Sequence, residues 1–230
     1  MIWKIWDQVL SFIPHSVGVY GAPETGKTTL DLQLTTQGEV RPLGAVDRTE
    51  HVMSPISKRY MQPVSTIKRV KSDGIRRVFS SRDLGGNLEY HNLWLHDMWQ
   101  RRVSTIVIVV DNRHLIDPNN TDNQTALSYI VESLRTMKKP KGLGIRHIFQ
   151  KRYHPSRVIL LANKADLWLD TKDEYHLWER GAIIKHEIFE PFRESLYRLQ
   201  EMNIPVRVDA CSASIGWNVD EAIFRGMMDL

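Results

Sequence analysis

The chain has 230 residues, 42% of them hydrophobic, enough for the core of one sizeable domain and against global disorder. A net charge of +4 with a pI near 9.2 points to no particular partner. The lone cysteine, Cys211, excludes an internal disulfide and makes a reducing, cytoplasmic setting the default, and no run of eighteen uncharged apolar residues is present to span a bilayer.

Residues 1–14, MIWKIWDQVLSFIP, predict an amphipathic helix. Ile2, Trp3, Ile5, Trp6, Val9, Leu10, Phe12 and Ile13 share one half of the wheel, and Lys4, Asp7, Gln8 and Ser11 the other. Pro14 stops it. Lys4 and Asp7 break any secretory pattern. Three uses fit such a helix: insertion at a membrane surface, packing on its own domain, or capture of a protein partner.

Val17 to Tyr20 predicts a short buried strand, and Thr28 to Thr36 a helix. Gly38 to Pro63 carries breakers and is expected to be mostly loop. Thr66 to Lys71 and Ile75 to Ser81 suggest a hairpin turning at Ser72-Asp73-Gly74. Leu88 to Arg101 is an expected helix. The β-branched run TIVIVV, Thr105 to Val110, suits a strand buried on both faces. A helix over Thr125 to Met137, a strand over Arg157 to Ala162, a helix over Glu187 to Met202, a strand over Val206 to Ala210 and a helix over Val219 to Met228 complete the alternation. The pattern predicts an α/β three-layer sandwich with a mostly parallel sheet and helices on both faces.

Gly21-Ala22-Pro23-Glu24-Thr25-Gly26-Lys27-Thr28 matches G-x-x-x-x-G-K-[ST] between a strand and a helix. Gly21 and Gly26 let the backbone curl so that its N–H groups face phosphate oxygens. The helix behind adds its positive end, Lys27 a point charge and Thr28 a hydroxyl for Mg²⁺. Thr29 completes the set. Asn163-Lys164-Ala165-Asp166 follows directly on RVILLA. The Asp166 carboxylate can accept from N1 and N2 of guanine, a donor pair that adenine lacks, and the Lys164 stem can lie along the base. The same tetrapeptide argues against an ATP-using kinase. Between the two motifs, Asp83 ends a strand and can hold the Mg²⁺ shell through water. Gly86 can bring a backbone N–H to a terminal phosphate.

These motifs together resemble the small GTPases of the Ras superfamily, most closely the ADP-ribosylation-factor branch and its Sar relatives. The resemblance is carried by GAPETGKT, by DLGGN followed by LEYHNLW, by IVIVVDN and by NKAD, across about Val17 to Met228. It implies a GTP/GDP switch with Mg²⁺, served by an exchange factor, an activating protein and an effector. It also implies an N-terminal helix that enters membranes in the GTP state. Ile2 excludes N-myristoylation, a Sar-like trait.

Several residues depart from the family pattern. Asn87 stands where the family usually has the water-orienting glutamine. It is one methylene shorter, and such a misplacement costs about 10²-fold in rate, so slow hydrolysis is expected, with Asn87, Gly86 and Lys27 as the catalytic set. Pro23 and Glu24 replace small residues, and Pro23 is bulky enough to obstruct a partner's arginine. The Ser-Ala-Lys element appears as Ser212-Ala213-Ser214, its Ala213 N–H aimed at the guanine oxygen. The switch threonine on Mg²⁺ is expected at Thr66, with Thr49 second. Relative to the family, segments near 38–63, 138–155 and 167–205 look inserted. Within them Lys138 to Arg152 is a basic stretch that fits a solvated loop better than a nucleic-acid contact, and Trp168 and Trp178 are expected to pack a local subcore. The histidines show no zinc spacing.

Overall fold

The computed structural model describes residues 15–35, 56–61, 78–136, 140, 153–169 and 171–228. The expected helix over residues 1–14 lies outside them, as do Thr49, Thr66 and most of the basic stretch.

The described strands are β1 (His15–Tyr20), β2 (Ile56–Met61), β3 (Val78–Asp83), β4 (Thr105–Val110), β5 (Arg157–Ala162) and β6 (Val206–Ala210). They form one sheet in the order β2-β3-β1-β4-β5-β6, parallel except for β2. The helices are α1 (Lys27–Thr35), α2 (His91–Arg101), the single turn α3 (Arg113–Ile116), α4 (Asp122–Arg135), α5 (Lys172–Glu179), α6 (Arg193–Glu201) and α7 (Val219–Met228).

Residue alternation sorts the strands' side chains into two cores. Ile106, Ile108, Val110, Val158 and Leu160 face one side, against Trp94 and Met98 of α2 and Leu127 and Ile130 of α4. Val107, Val109, Ile159 and Leu161 face the other, against Leu30 and Leu34 of α1 and Ile223 and Phe224 of α7. Every residue of β4 and β5 is buried, as runs covered on both faces require. The result is the three-layer α/β sandwich that the sequence predicts. The chain leaves β1 toward β3 on one side and β4 on the other, so the crevice beyond the carboxyl end of β1 is the natural ligand site.

Four local expectations change. Ile56–Met61 falls in the segment expected to be mostly loop, yet it pairs antiparallel with β3 along all six residues. That pairing, with β1 on β3's other side, takes both edges of β3, and Thr66 to Lys71, the other arm of the expected hairpin, lie outside the described residues. The helix expected over Glu187 to Met202 begins as a tight 3-10 stretch, Glu187–Phe192, because Pro191 removes a donor. Leu88–Tyr90 likewise precedes α2 as one 3-10 turn. Helix α5 was not expected. Thr171 and Glu174 start it with reciprocal caps, Thr171 Oγ1 accepting from Glu174 N at 3.3 Å and Glu174 Oε2 from Thr171 N at 2.9 Å.

Candidate nucleotide-binding site

The loop after β1 is built for an anion. Gly21 sits at φ 151°, and a Cβ there would strike the Val109 carbonyl, so only glycine fits. Gly26 is left-handed at φ 87°, and a Cβ there would collide with the Asn163 amide. Glu24 is left-handed as well, at φ 60°. Such alternation turns successive N–H groups to one side. Thr25 Oγ1 and Lys27 Nζ both donate to Ala22 O, at 3.0 and 2.6 Å, so the buried ammonium spans the loop. Thr28 and Thr29 lie half-buried in the first turn of α1.

The loop from β3 meets this one edge to edge. Gly86 is buried, and a Cβ on it would fall 2.5 Å from the Ala22 carbonyl carbon and 2.7 Å from its oxygen. The Gly86 backbone therefore lies directly on the phosphate loop. Trp94 Nε1 donates to Gly85 O at 2.9 Å and holds this glycine pair from below. Asp83 is the last residue of β3, opposite Ile56. Asn87 is exposed at the entrance to the 3-10 turn, and its side chain makes no capping hydrogen bond. A cavity of about 580 Å³ opens between Ala22, Pro23, Gly86, Asn87, His91 and Thr125.

The base side is held by Asn163, only 2% exposed. Its Nδ2 donates to Thr25 O at 2.8 Å, and its Oδ1 accepts from Ala213 N at 2.9 Å and from the Cys211 thiol at 3.5 Å. One amide thus joins the phosphate loop to the loop after β6. The Ala213 N–H, expected to face a guanine oxygen, is engaged by Asn163 in this structure. Gln33 Nε2 of α1 donates to Ala213 O at 3.0 Å from behind. Asp166 Oδ1 accepts from the hydroxyl of Ser212 and from that of Ser214 at 3.4 Å. The two serines hold one oxygen of this exposed carboxylate.

Lys164 is left-handed at φ 58°, and its ammonium binds Asp111 Oδ2 at 2.6 Å. Asp111 also accepts from Arg113 Nε at 2.7 Å and Asn123 Nδ2 at 3.1 Å. Burial alone would raise the Asp111 pKa. The hydrogen bonds from Arg113, Lys164 and Asn123 outweigh it and hold the carboxyl well below the usual carboxylate range. Burial, with Asp209 and Asp166 nearby, pushes the Cys211 thiol up, so it remains a neutral S–H donor. Trp178 packs on Trp217 of the base loop at 4.8 Å and donates to Asp209 Oδ1 at 3.0 Å, and Trp168 Nε1 donates to Asn163 O at 2.9 Å. Both tryptophans pack within the protein, as expected, Trp168 in the core and Trp178 against it.

Sequence reasoning missed Asp111, Arg113, Asn123 and Gln33. A signal was there for Asp111. The register pairs Val110 with Ala162, so Asp111 and Asn163 leave adjacent strands side by side at the sheet's carboxyl edge. Among the described residues no group of three or more His, Cys, Asp or Glu side chains is placed to hold a metal, and no helix is long and apolar enough to cross a membrane. The Thr28 hydroxyl, half-buried in the first turn of α1, is of the kind that Mg²⁺ takes beside waters and phosphate oxygens.

No family model and no curated protein matches the chain. Among solved structures it is similar to the Arl6 BBS3 small GTPase from Trypanosoma brucei with bound nucleotide analogue GppNp, at 18% identity and a TM-score of 0.49, over 90% of this chain and 91% of that one.

Proposed function

We propose that the chain is a guanine-nucleotide switch that hydrolyses GTP to GDP and phosphate slowly, by in-line attack of water. The observation that carries this reading is Asn163, whose amide ties the phosphate loop to the base loop beside the serine-held carboxylate of Asp166. Gly21 to Thr29 would cradle the phosphates, with Lys27 on the outer pair. Thr28 and Asp83 would hold Mg²⁺, joined by Thr66. Gly86 would meet the γ-phosphate and Asn87 would place the water. Mg²⁺ would neutralise charge developing on the phosphate oxygens. The amphipathic stretch 1–14 would recruit the GTP-bound protein from the cytoplasm to a membrane surface. An exchange factor, an activating protein and an effector would complete the cycle.

A second reading is a GTP-binding interaction module with negligible turnover. The exposed, shortened Asn87 favours it. Single-turnover hydrolysis of bound GTP separates the two. The enzyme reading expects a rate above that of GTP in buffer, and a rate equal to buffer leaves only the module. Liposome co-sedimentation with GDP and with a non-hydrolysable GTP analogue, with and without residues 1–14, tests recruitment. Binding that needs both the analogue and the helix is expected, and binding that ignores the nucleotide, or no binding at all, would overturn it.

A further inference from the structure

Different side chains hold the carbonyls of the phosphate loop. Lys27 and Thr25 hold Ala22 O, and Asn163 holds Thr25 O. Pro23 O accepts from Arg113 Nη2 at 2.5 Å. The same guanidinium forks onto Asp111, Nε to Oδ1 at 2.7 Å and Nη2 to Oδ2 at 3.1 Å, and reaches Asp122 at 3.1 Å. Asp111 is 2% exposed and accepts the Lys164 ammonium at 2.6 Å. A continuous hydrogen-bonded path therefore runs from Pro23 O through Arg113 and Asp111 to Lys164. It is separate from the bridge made by Asn163.

The Pro23 carbonyl matters because of the peptide it belongs to. In a trans peptide the C=O and the next N–H point in opposite directions. Holding Pro23 O on Arg113 therefore fixes the Glu24 N–H on the opposite side of that peptide, away from Arg113. Pro23 has no N–H of its own, so a flip of this one peptide would put a carbonyl where a phosphate belongs. At its other end the path fixes Lys164, whose left-handed backbone needs support from its surroundings.

We propose that Arg113 is a positioning residue for nucleotide binding, which holds the Pro23–Glu24 peptide in its anion-accepting orientation and, through Asp111, clamps Lys164 against the base, so that phosphate loop and base loop grip as one unit. This rests on the guanine-nucleotide reading above. Lysine cannot replace the arginine, because a single ammonium lacks the planar fork that spans a carbonyl and a carboxylate.

The test is a double-mutant cycle on the release rate of methylanthraniloyl-GDP from the full chain, using R113A, K164A, the double variant and R113K. Each single alanine variant is expected to release the probe about 10-fold faster or more, the loss of a charged hydrogen bond. The double variant should be no more than about 2-fold faster than the faster single, because both cut the same path. R113K should resemble R113A, and it carries the test if R113A has no cooperative melt. A residue with only a general structural role would speed release independently of Lys164. A double variant whose acceleration equals the product of the singles therefore overturns the proposal, as does wild-type release from R113A or R113K. A wild-type chain that fails to bind the probe sinks the nucleotide reading itself and takes this inference with it.

Discussion

Asp220 and Asp111 show how one residue type is driven in opposite directions. Asp111 meets three donors and stays ionised. Asp220 stands in the first turn of α7, where a helix end favours a carboxylate. Yet its Oδ1 is buried with no hydrogen-bond partner among the described residues, and burial pushes its pKa up to about 6. The folded state therefore keeps a proton that the unfolded chain gives up at about 3.9. Stability from this group is present at low pH and is lost as pH rises through the window from about 4 to 6. Asp220→Asn removes the titration. Chemical denaturation of the two proteins between pH 4 and 7 should show wild type losing stability relative to the variant as pH rises. Parallel curves would contradict the assignment.

Helix α2 is fixed to β1 by a buried polar knot. Asp97, 2% exposed, accepts from Tyr20 Oη at 2.8 Å and from Arg101 Nε at 2.7 Å, and Arg101 Nη2 donates to Val17 O at 3.0 Å. Tyr20 is the residue before Gly21, and Trp94 of the same helix holds Gly85. One element thus supports both phosphate-facing loops. Removing one partner of a buried pair leaves the other charge uncompensated, so Asp97→Ala should cost about 3–5 kcal/mol. Arg198 and Glu194 make an i,i+4 pair of similar length on α6, but it is half exposed or more, and Glu194→Ala should cost no more than about 0.5 kcal/mol. Urea midpoints of the two variants check this. Equal shifts would show that α2 is not anchored in this way. Element α5 serves the opposite end of the sheet, where Tyr175 and Trp178 pack on Trp217 and shore up the base loop.

Taken together, the phosphate loop, the glycine pair and the base loop converge at the carboxyl ends of β1, β3, β5 and β6. Much of this was legible beforehand. TIVIVV and RVILLA are continuous apolar runs, and both strand boundaries agree with the structure. The two glycines of GAPETGKT lie where a Cβ would collide with Val109 or Asn163. β2 was hidden because it is an edge strand, ISKRYM, whose pairing partner, rather than its own pattern, defines it. α5 was missed although its capping signature T-x-x-E is plain at Thr171 and Glu174. Arg113 was missed for a deeper reason. Its partners are a backbone carbonyl 90 positions away and a carboxylate two positions away, and no spacing in the chain announces the first. On the proposed function, this assembled edge would read guanine through Asp166. The most direct measurement is equilibrium binding of GDP and ADP to the full chain with Mg²⁺. The account predicts GDP tighter by about 10²-fold or more, because adenine leaves the carboxylate unpaired. Equal affinity for the two, or tighter binding of ADP, would contradict it.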